Sequence, residues 1–79
     1  EVKPLKDSKT TLQEWLQQRG KSLPDYKLVD TGGEAHSRLF TVSCKIDAVG
    51  QEMTAIATSR RRAEQMVAEQ LLTELEKNK

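Results

Sequence analysis

The middle of the chain alternates between apolar and polar residues, and this pattern constrains the fold more than any other feature. The apolar members, which share one face of an extended strand, are Phe40, Val42, Cys44 and Ile46. The polar members, which share the opposite face, are Thr41, Ser43, Lys45 and Asp47. Because side chains of a strand alternate between the two faces of its sheet, the pattern predicts a strand from Leu39 onward with one face against a core.

Two further strands are predicted, one on each side of this segment. Tyr26–Thr31 precedes it, with Tyr26 and Leu28 expected to point inward. Gly50 marks a tight turn, and Gln51–Thr58 follows that turn as a third strand. Strands joined by short turns pair antiparallel, so the three should form an antiparallel meander.

Apolar residues spaced three and four positions apart predict a helix at each end of the domain. The first runs from Thr10 to Arg19, after an N-cap at Asp7 or Ser8, and Gly20 closes it. The residues expected on its inward side are Leu12, Trp15 and Leu16. The opposite side is polar, which is typical of a helix on a protein surface.

The second helix is predicted to begin after an N-cap at Ser59 and to bury one side against the strands. The residues of that side are Ala63, Met66, Val67, Leu71 and Leu75. The resulting order, α-β-β-β-α, makes an α+β domain with a three-stranded antiparallel sheet. Because a meander can leave one face in water, both helices should pack on the other face.

The composition allows one small domain with a thin core. The chain has 79 residues, of which 35% are apolar and 32% are charged, and a chain of this length buries about 60–65% of the surface it exposes when unfolded. Residues 1–6 lack periodicity and contain Pro4, so we assign them to a tail or linker and residues 7–79 to the domain. The first residue is Glu1 rather than Met, which favours a fragment of a longer protein.

Cysteine and histidine usage excludes several classes of site. A single cysteine, Cys44, cannot form an intramolecular disulfide, and with the single His36 it leaves too few ligands for a structural zinc ion. Since no intramolecular disulfide is possible, we expect a reduced, cytoplasmic setting. Cys44 should face the core rather than act as a nucleophile, so we expect no catalysis by this chain. No apolar run approaches the roughly 20 residues that span a bilayer, so no membrane partner is expected.

Three consecutive arginines, Arg60–Arg62, follow Ser59 at the start of the second helix, and we call them the arginine cluster. The helix dipole already places partial positive charge at that end, so each added cation costs about 0.3–1 kcal/mol. The backbone N–H groups of a first helical turn also point outward, where they can bind a phosphate or a carboxylate. The cluster therefore either meets an external anion or is a solvated turn without a ligand. The net charge of the chain is only +1, so the basic charge lies in this local cluster rather than in an overall excess.

Two other segments carry polar groups suited to a nucleic acid. The outer side of the first helix offers Gln13 and Glu14. A carboxylate facing an anionic duplex is useful when it accepts a hydrogen bond from a 2′-hydroxyl, which DNA lacks. The glycine-flanked loop offers Glu34 and His36, which could enter a shallow groove. Each segment alone also has a simpler explanation as an ordinary solvated surface.

Taken together, four segments resemble one family. They are Lys9–Gln17, Pro24-Asp25-Tyr26, Gly33-Glu34-Ala35-His36 with Phe40 and Val42, and Ser59–Glu64. In this order and spacing, over about residues 7–76, they resemble the double-stranded RNA-binding domain. In detail they are most similar to the C-terminal domain of bacterial ribonuclease III. Agreement over several separate segments is more specific than any one motif.

The resemblance implies a role for each candidate residue. The implied RNA-binding residues are Thr10, Gln13, Glu14, Glu34, His36, Ser59, Arg60, Arg61 and Arg62. The first three would lie in one minor groove of A-form RNA, and Glu34 with His36 in the next. Arg60 and Arg61 would hold phosphates across the intervening major groove, with Arg62 at the periphery. Such domains span about 16 bp and read shape more than sequence.

Two positions depart from the pattern of the family. Ala57 stands two residues before Ser59, where a glycine is frequent, and should change little. Glu64 stands where many members outside ribonuclease III carry a third lysine. It should weaken the hold on phosphates and make the affinity modest, while it supplies negative charge to the first helical turn.

The resemblance also implies what other parts of a parent protein would supply. The domain itself would need no cofactor and would be a monomer as a fragment. Cleavage of RNA would require a separate, dimeric catalytic domain with Mg²⁺, whose acidic motifs this sequence does not contain. The alternative is a domain of the same architecture that binds proteins and has little affinity for RNA. The arginine cluster argues against this alternative, because members that bind only proteins usually lack it.

Overall fold

A computed structural model describes residues 7–34 and 37–77, so the predicted tail at residues 1–6 and the candidate His36 lie outside the described residues. The elements are α1 (Ser8–Gln18), β1 (Lys27–Gly32), β2 (Leu39–Lys45), β3 (Glu52–Ala57) and α2 (Arg60–Lys77). Their order confirms the predicted α-β-β-β-α domain.

Capping residues set both ends of α1. The Asp7 carboxylate accepts a hydrogen bond from the Thr10 N–H (2.8 Å), so the helix begins at Ser8, earlier than predicted. After the helix, Gly20 has a φ of +66° and donates its N–H to the Gln17 carbonyl oxygen (3.1 Å). Glycine adopts this left-handed conformation without strain, which is why the helix stops where the sequence indicates.

The three strands form an antiparallel sheet in the order β1-β2-β3. β2 is the central strand, and its Phe40 lies opposite Thr31 of β1 and Ala57 of β3. The chain turns between β2 and β3 at Gly50, which has a φ of +76° and donates its N–H to the Ile46 carbonyl oxygen (2.9 Å). The turn predicted at Gly50 is therefore confirmed.

One hydrophobic core joins the helices to the sheet. α2 lies across β2 and β3, and α1 packs beside α2. The buried apolar residues are Leu12, Leu16, Val42, Cys44, Ile46, Ala55, Ala57, Ala63, Val67, Ala68, Leu71 and Leu75. Cys44 faces this core as a free thiol, as predicted. Burial raises the pKa of the Cys44 thiol, which keeps it protonated and unreactive at neutral pH.

Two residues predicted to be buried, Leu28 and Met66, are exposed. Three others that were expected to face the core are only partly buried: Trp15, Tyr26 and Phe40. Leu28 is 39% exposed, because β1 is an edge strand and α2 lies over β2 and β3 instead. Met66 is 37% exposed, and Ala68 is buried in its place. α2 packs against α1 as well as against β2 and β3, and its buried face includes Ala68 rather than Met66. None of these corrections changes the order of the elements.

Candidate nucleic-acid interface

The arginine cluster and the loop between β1 and β2 lie at the same end of the sheet. Gly32 at the end of β1 pairs with Leu39 at the start of β2, so the connection between the two strands lies at that end. β3 also ends there, since its last residue, Ala57, lies opposite Phe40. Only two residues separate β3 from α2. The predicted loop and the predicted cationic turn are therefore neighbours in space.

The first turn of α1 packs beside the start of α2. The side-chain oxygen of Gln65 accepts hydrogen bonds from the backbone N–H groups of Ser8 (2.9 Å) and Lys9 (3.3 Å). The Lys9 ammonium group is also paired with the Glu64 carboxylate. Two adjacent residues of α2 thus hold the start of α1, and the two helices begin side by side.

The N-terminus of α2 is open to an anion. The Ser59 hydroxyl oxygen accepts from the Arg62 N–H (3.1 Å), and the Ser59 carbonyl oxygen accepts from the Ala63 N–H (3.0 Å), which confirms the predicted N-cap. Within residues 7–34 and 37–77, the Arg60 and Arg61 backbone N–H groups have no hydrogen-bond acceptor. All three arginine side chains are exposed. Free N–H groups, the helix dipole and three cations together favour binding of a phosphate.

A carboxylate shared by two cations lies beside the arginine cluster. Glu64 accepts from Arg60 Nε (3.1 Å) through one oxygen and from Lys9 Nζ (2.5 Å) through the other. Burial alone would raise the pKa of Glu64, but the hydrogen bonds from Lys9 and Arg60 and their charges outweigh burial and lower it. Glu64 therefore stays ionised at neutral pH. It neutralises part of the cluster, as the sequence indicated.

The candidate residues of α1 lie on its outer side. Thr10 and Gln13 are exposed, and Glu14 is half-buried. Thr10 bonds to the Asp7 carboxylate through its backbone N–H and also through its side chain, at the exposed start of α1. Hydroxyl, amide and carboxylate groups offer both donors and acceptors, which suit ribose and base edges better than phosphates.

The loop between β1 and β2 has a tight, defined backbone around Gly33. Gly33 has a φ of +86°, and a β-carbon at this position would overlap the backbone carbonyl oxygen of Ser37. The Ser37 N–H donates to the Glu34 carbonyl oxygen (2.8 Å). The exposed Glu34 is therefore presented at a fixed turn. The role of His36, outside the described residues, stays a prediction.

Sequence reasoning missed two residues that organise this end of the molecule. Lys9 and Gln65 connect the helices, yet neither was among the candidate site residues. A signal existed in the sequence, because Glu64 and Gln65 are polar side chains that follow the arginine cluster after a single residue, Ala63. Their partners come from α1, however, and only the packing of the helices reveals that pairing.

Other classes of site find no support in the described part of the chain. Residues 7–34 and 37–77 contain no cluster of His, Cys, Asp or Glu side chains that could hold a metal ion. None of the described helices is long and apolar enough to cross a membrane.

Comparisons with known proteins agree with this geometry. The chain matches the family model of the double-stranded RNA binding motif over residues 8–75. Ribonuclease 3 of Shewanella oneidensis is 50% identical over 72 residues, which are 91% of this chain and 32% of that protein. Ribonuclease 3 of Shewanella frigidimarina is 51% identical over 80 residues, which are 98% of this chain and 35% of that protein. The chain thus spans about a third of the length of these curated relatives.

Solved structures extend the likeness to the fold. The structure of Arabidopsis HYL1 superposes with a TM-score of 0.74 at 33% identity, over 86% of this chain and 94% of that one. The solution structure of both dsRBDs of DRB4 superposes with a TM-score of 0.68 at 26% identity, over 87% of this chain and 44% of that one. Sequence, fold and the exposed cationic helix start lead to one conclusion: this chain belongs to the family of the double-stranded RNA binding motif.

Proposed function

We propose that this chain binds double-stranded RNA by its shape and serves as the substrate-binding domain of a ribonuclease III-like endoribonuclease. One observation carries the proposal. The open N-terminus of α2, with the arginine cluster, lies beside the start of α1 and at the end of the sheet where β1 connects to β2. A cationic centre flanked by two polar segments matches a major groove flanked by two minor grooves.

In this proposal the arginine cluster supplies the affinity. Each guanidinium group that neutralises a phosphate releases condensed counterions, so binding weakens as salt rises. Arg60 and Arg61 are the main phosphate ligands, and Arg62 lies at the edge of the contact. Ser59 contributes by capping α2 and fixing the direction of the cluster.

The two flanking segments supply the preference for RNA. In one minor groove, the 2′-hydroxyls are bound by Thr10, Gln13 and Glu14. In the next minor groove, they are bound by Glu34 and His36. Glu14 matters most for discrimination, because a carboxylate gains from a 2′-hydroxyl donor and is repelled where that donor is missing. Duplex DNA therefore keeps the phosphate contacts and loses the ribose contacts.

Catalysis belongs to another part of the parent protein. Relatives named Ribonuclease 3 support a parent that cleaves RNA, and this chain spans about a third of their length. We assign Mg²⁺ binding and dimerisation to a catalytic domain of that parent, and place the protein in the cytoplasm. The domain described here then acts as a monomeric clamp that needs no cofactor.

A titration tests the proposal. The chain is titrated by fluorescence anisotropy against a duplex RNA of about 20 bp, the matching duplex DNA and one RNA strand, at two salt concentrations; the length exceeds the roughly 16 bp that such domains span. RNA-selective binding that weakens with salt supports the proposal. No binding to duplex RNA even at low salt contradicts it and favours the alternative, a protein-binding domain. Equal binding to both duplexes contradicts the ribose contacts alone.

A further inference from the structure

The three members of the arginine cluster are chemically identical but differ in how they are held. Arg60 donates its Nε–H to Glu64 Oε2 at 3.1 Å. Arg61 and Arg62 form no side-chain hydrogen bond or ion pair with any of residues 7–34 and 37–77. The side chain of Arg60 is still 51% exposed, so it is held without being covered. Arg60 therefore has a defined position and an open side.

The group that holds Arg60 is itself fixed. Glu64 is only 13% exposed, and its second oxygen accepts from the Lys9 ammonium group. Lys9 also lies over the ring of Tyr26, at 5.1 Å from the ring centre, and the Tyr26 hydroxyl oxygen is buried. Lys9 thus holds the Glu64 carboxylate, and the ring of Tyr26 in turn holds Lys9. Because Glu64 is already fixed in this way, its side chain loses little further entropy when it orients Arg60.

The contact leaves the phosphate-binding edge of Arg60 free. Glu64 meets the guanidinium group at Nε, and neither terminal Nη group bonds to any residue that the structure describes. A guanidinium group binds a phosphate best through two parallel N–H donors on one edge. The Nη edge of Arg60 offers such a pair while its Nε stays with Glu64.

We propose that Glu64 is a positioning residue that orients Arg60 toward an RNA phosphate and links it, through Lys9, to the start of α1. The inference rests on the proposed function, since it concerns how the same surface holds RNA. Arg60 then binds one phosphate with two hydrogen bonds, whereas Arg61 and Arg62 act mainly through charge. Glu64 also fixes the distance between the phosphate ligand and the ribose-binding side of α1.

Substitutions that keep every positive charge test this inference. R60K, R62K, E64Q and the double variant R60K/E64Q are titrated against duplex RNA at several salt concentrations. Lysine keeps the charge and loses the planar pair of donors. We expect R60K to weaken binding by about fivefold with an unchanged salt slope, because one bidentate contact is lost and no charge is. We expect a loss of about twofold for R62K.

The double variant isolates the role of Glu64. In the E64Q background, R60K should cost no more than about twofold, because Arg60 is no longer held in place. E69Q removes the same negative charge from an exposed position of α2, and corrects for the general effect of charge on affinity. Thermal unfolding checks that each variant is folded. A cost of R60K that is equal in both backgrounds overturns the inference.

A further measurement uses the unaltered chain, so its result does not depend on whether the variants fold. In NMR spectra, the Arg60 Nε–H should be protected from exchange both free and bound to duplex RNA. Loss of that protection on binding would show that Arg60 leaves Glu64, and overturns the inference while the proposed function stands. Failure of the unaltered chain to bind duplex RNA at low salt overturns both the proposed function and the inference.

Discussion

The two helices begin side by side, but their N-termini are built in opposite ways. At the start of α1, the backbone N–H groups of Ser8 and Lys9 are bonded to Gln65, and that of Thr10 is bonded to Asp7. At the start of α2, those of Arg60 and Arg61 have no acceptor in the described part of the chain. One helix start is closed by acceptors and the other is open and surrounded by cations.

The difference shows that a helix N-terminus is an anion site only if the side chains around it leave it free. The dipole and the unpaired N–H groups are properties of every helix. α1 uses them internally, to bind Asp7 and to attach itself to α2. α2 keeps them for an external ligand and adds arginines. The closed start thus belongs to the stability of the fold, and the open start belongs to binding.

The largest effect should come from removing the cations of the open start. R60A/R61A should weaken binding to duplex RNA and duplex DNA by on the order of 10- to 100-fold at low salt, and lower the salt slope by about two. The free energy of unfolding should not fall much, because cations at a helix N-terminus are unfavourable. Anisotropy titrations over a range of salt concentrations measure the affinity and the slope.

K27A/K45A is the matched control for this double variant. It removes two exposed lysines where β1 begins and β2 ends, at the end of the sheet opposite the connection between β1 and β2. Affinity close to that of the unaltered chain is expected. An equal loss from both double variants would mean that net charge, rather than the open start of α2, drives binding.

The second largest effect should be on stability, and it should come from the closed start of α1. Q65A removes the acceptor of two backbone N–H groups of α1 and should destabilise the domain by about 1–2 kcal/mol. In a domain of this size each kcal/mol lowers Tm by roughly 4–8 °C. Q17A, on the exposed side of α1, serves as the control. Equal Tm values for the two variants would contradict the role given to Gln65.

A smaller effect is expected at the cap of the open start. S59A removes the side-chain acceptor of one N–H group, that of Arg62, and should cost about 1 kcal/mol of unfolding free energy. S22A, at an exposed residue before β1, is the control for loss of a hydroxyl group. Urea denaturation compares the two variants. A cost of S59A larger than that of Q65A would reverse the ranking of the two helix starts.

The smallest effect is the dependence of stability on acid. Hydrogen bonds from Thr10 lower the pKa of Asp7 below its ordinary value of 3.8. Burial raises the pKa of Glu64, but hydrogen bonds from Lys9 and Arg60 outweigh burial and lower it below its ordinary value of 4.5. A lowered carboxyl pKa stabilises the fold above the unfolded pKa, and this stabilisation is lost as the pH falls through the folded value. Unfolding free energy should therefore decline below about pH 4.5, less steeply in D7N.

The sequence predicted the elements whose patterns depend only on neighbours along the chain. The alternation of Phe40 to Ile46 defined β2, and Ser59 and Gly50 marked a cap and a turn because their local conformations require such residues. The arginine cluster was found in the same way, since three cations against a helix dipole are anomalous in any fold.

Features set by packing between elements could not be predicted in this way. Leu28 and Met66 were expected to be buried and are exposed. Their burial depends on which strands α2 covers and on which side of α2 packs against its neighbours. The contacts of Gln65 and Lys9 join residues far apart in sequence. Hence the sequence indicated the open helix start, and only the structure revealed the closed one.

Amide hydrogen exchange tests the contrast between the two helix starts most directly. The exchange of backbone N–H groups is followed by NMR in the free chain and after addition of duplex RNA. We expect Ser8 and Lys9 to be protected in both states, and Arg60 and Arg61 to exchange fast in the free chain and to become protected on binding. Protection of Arg60 and Arg61 without RNA, or no change on binding, would contradict an open start of α2 that binds RNA.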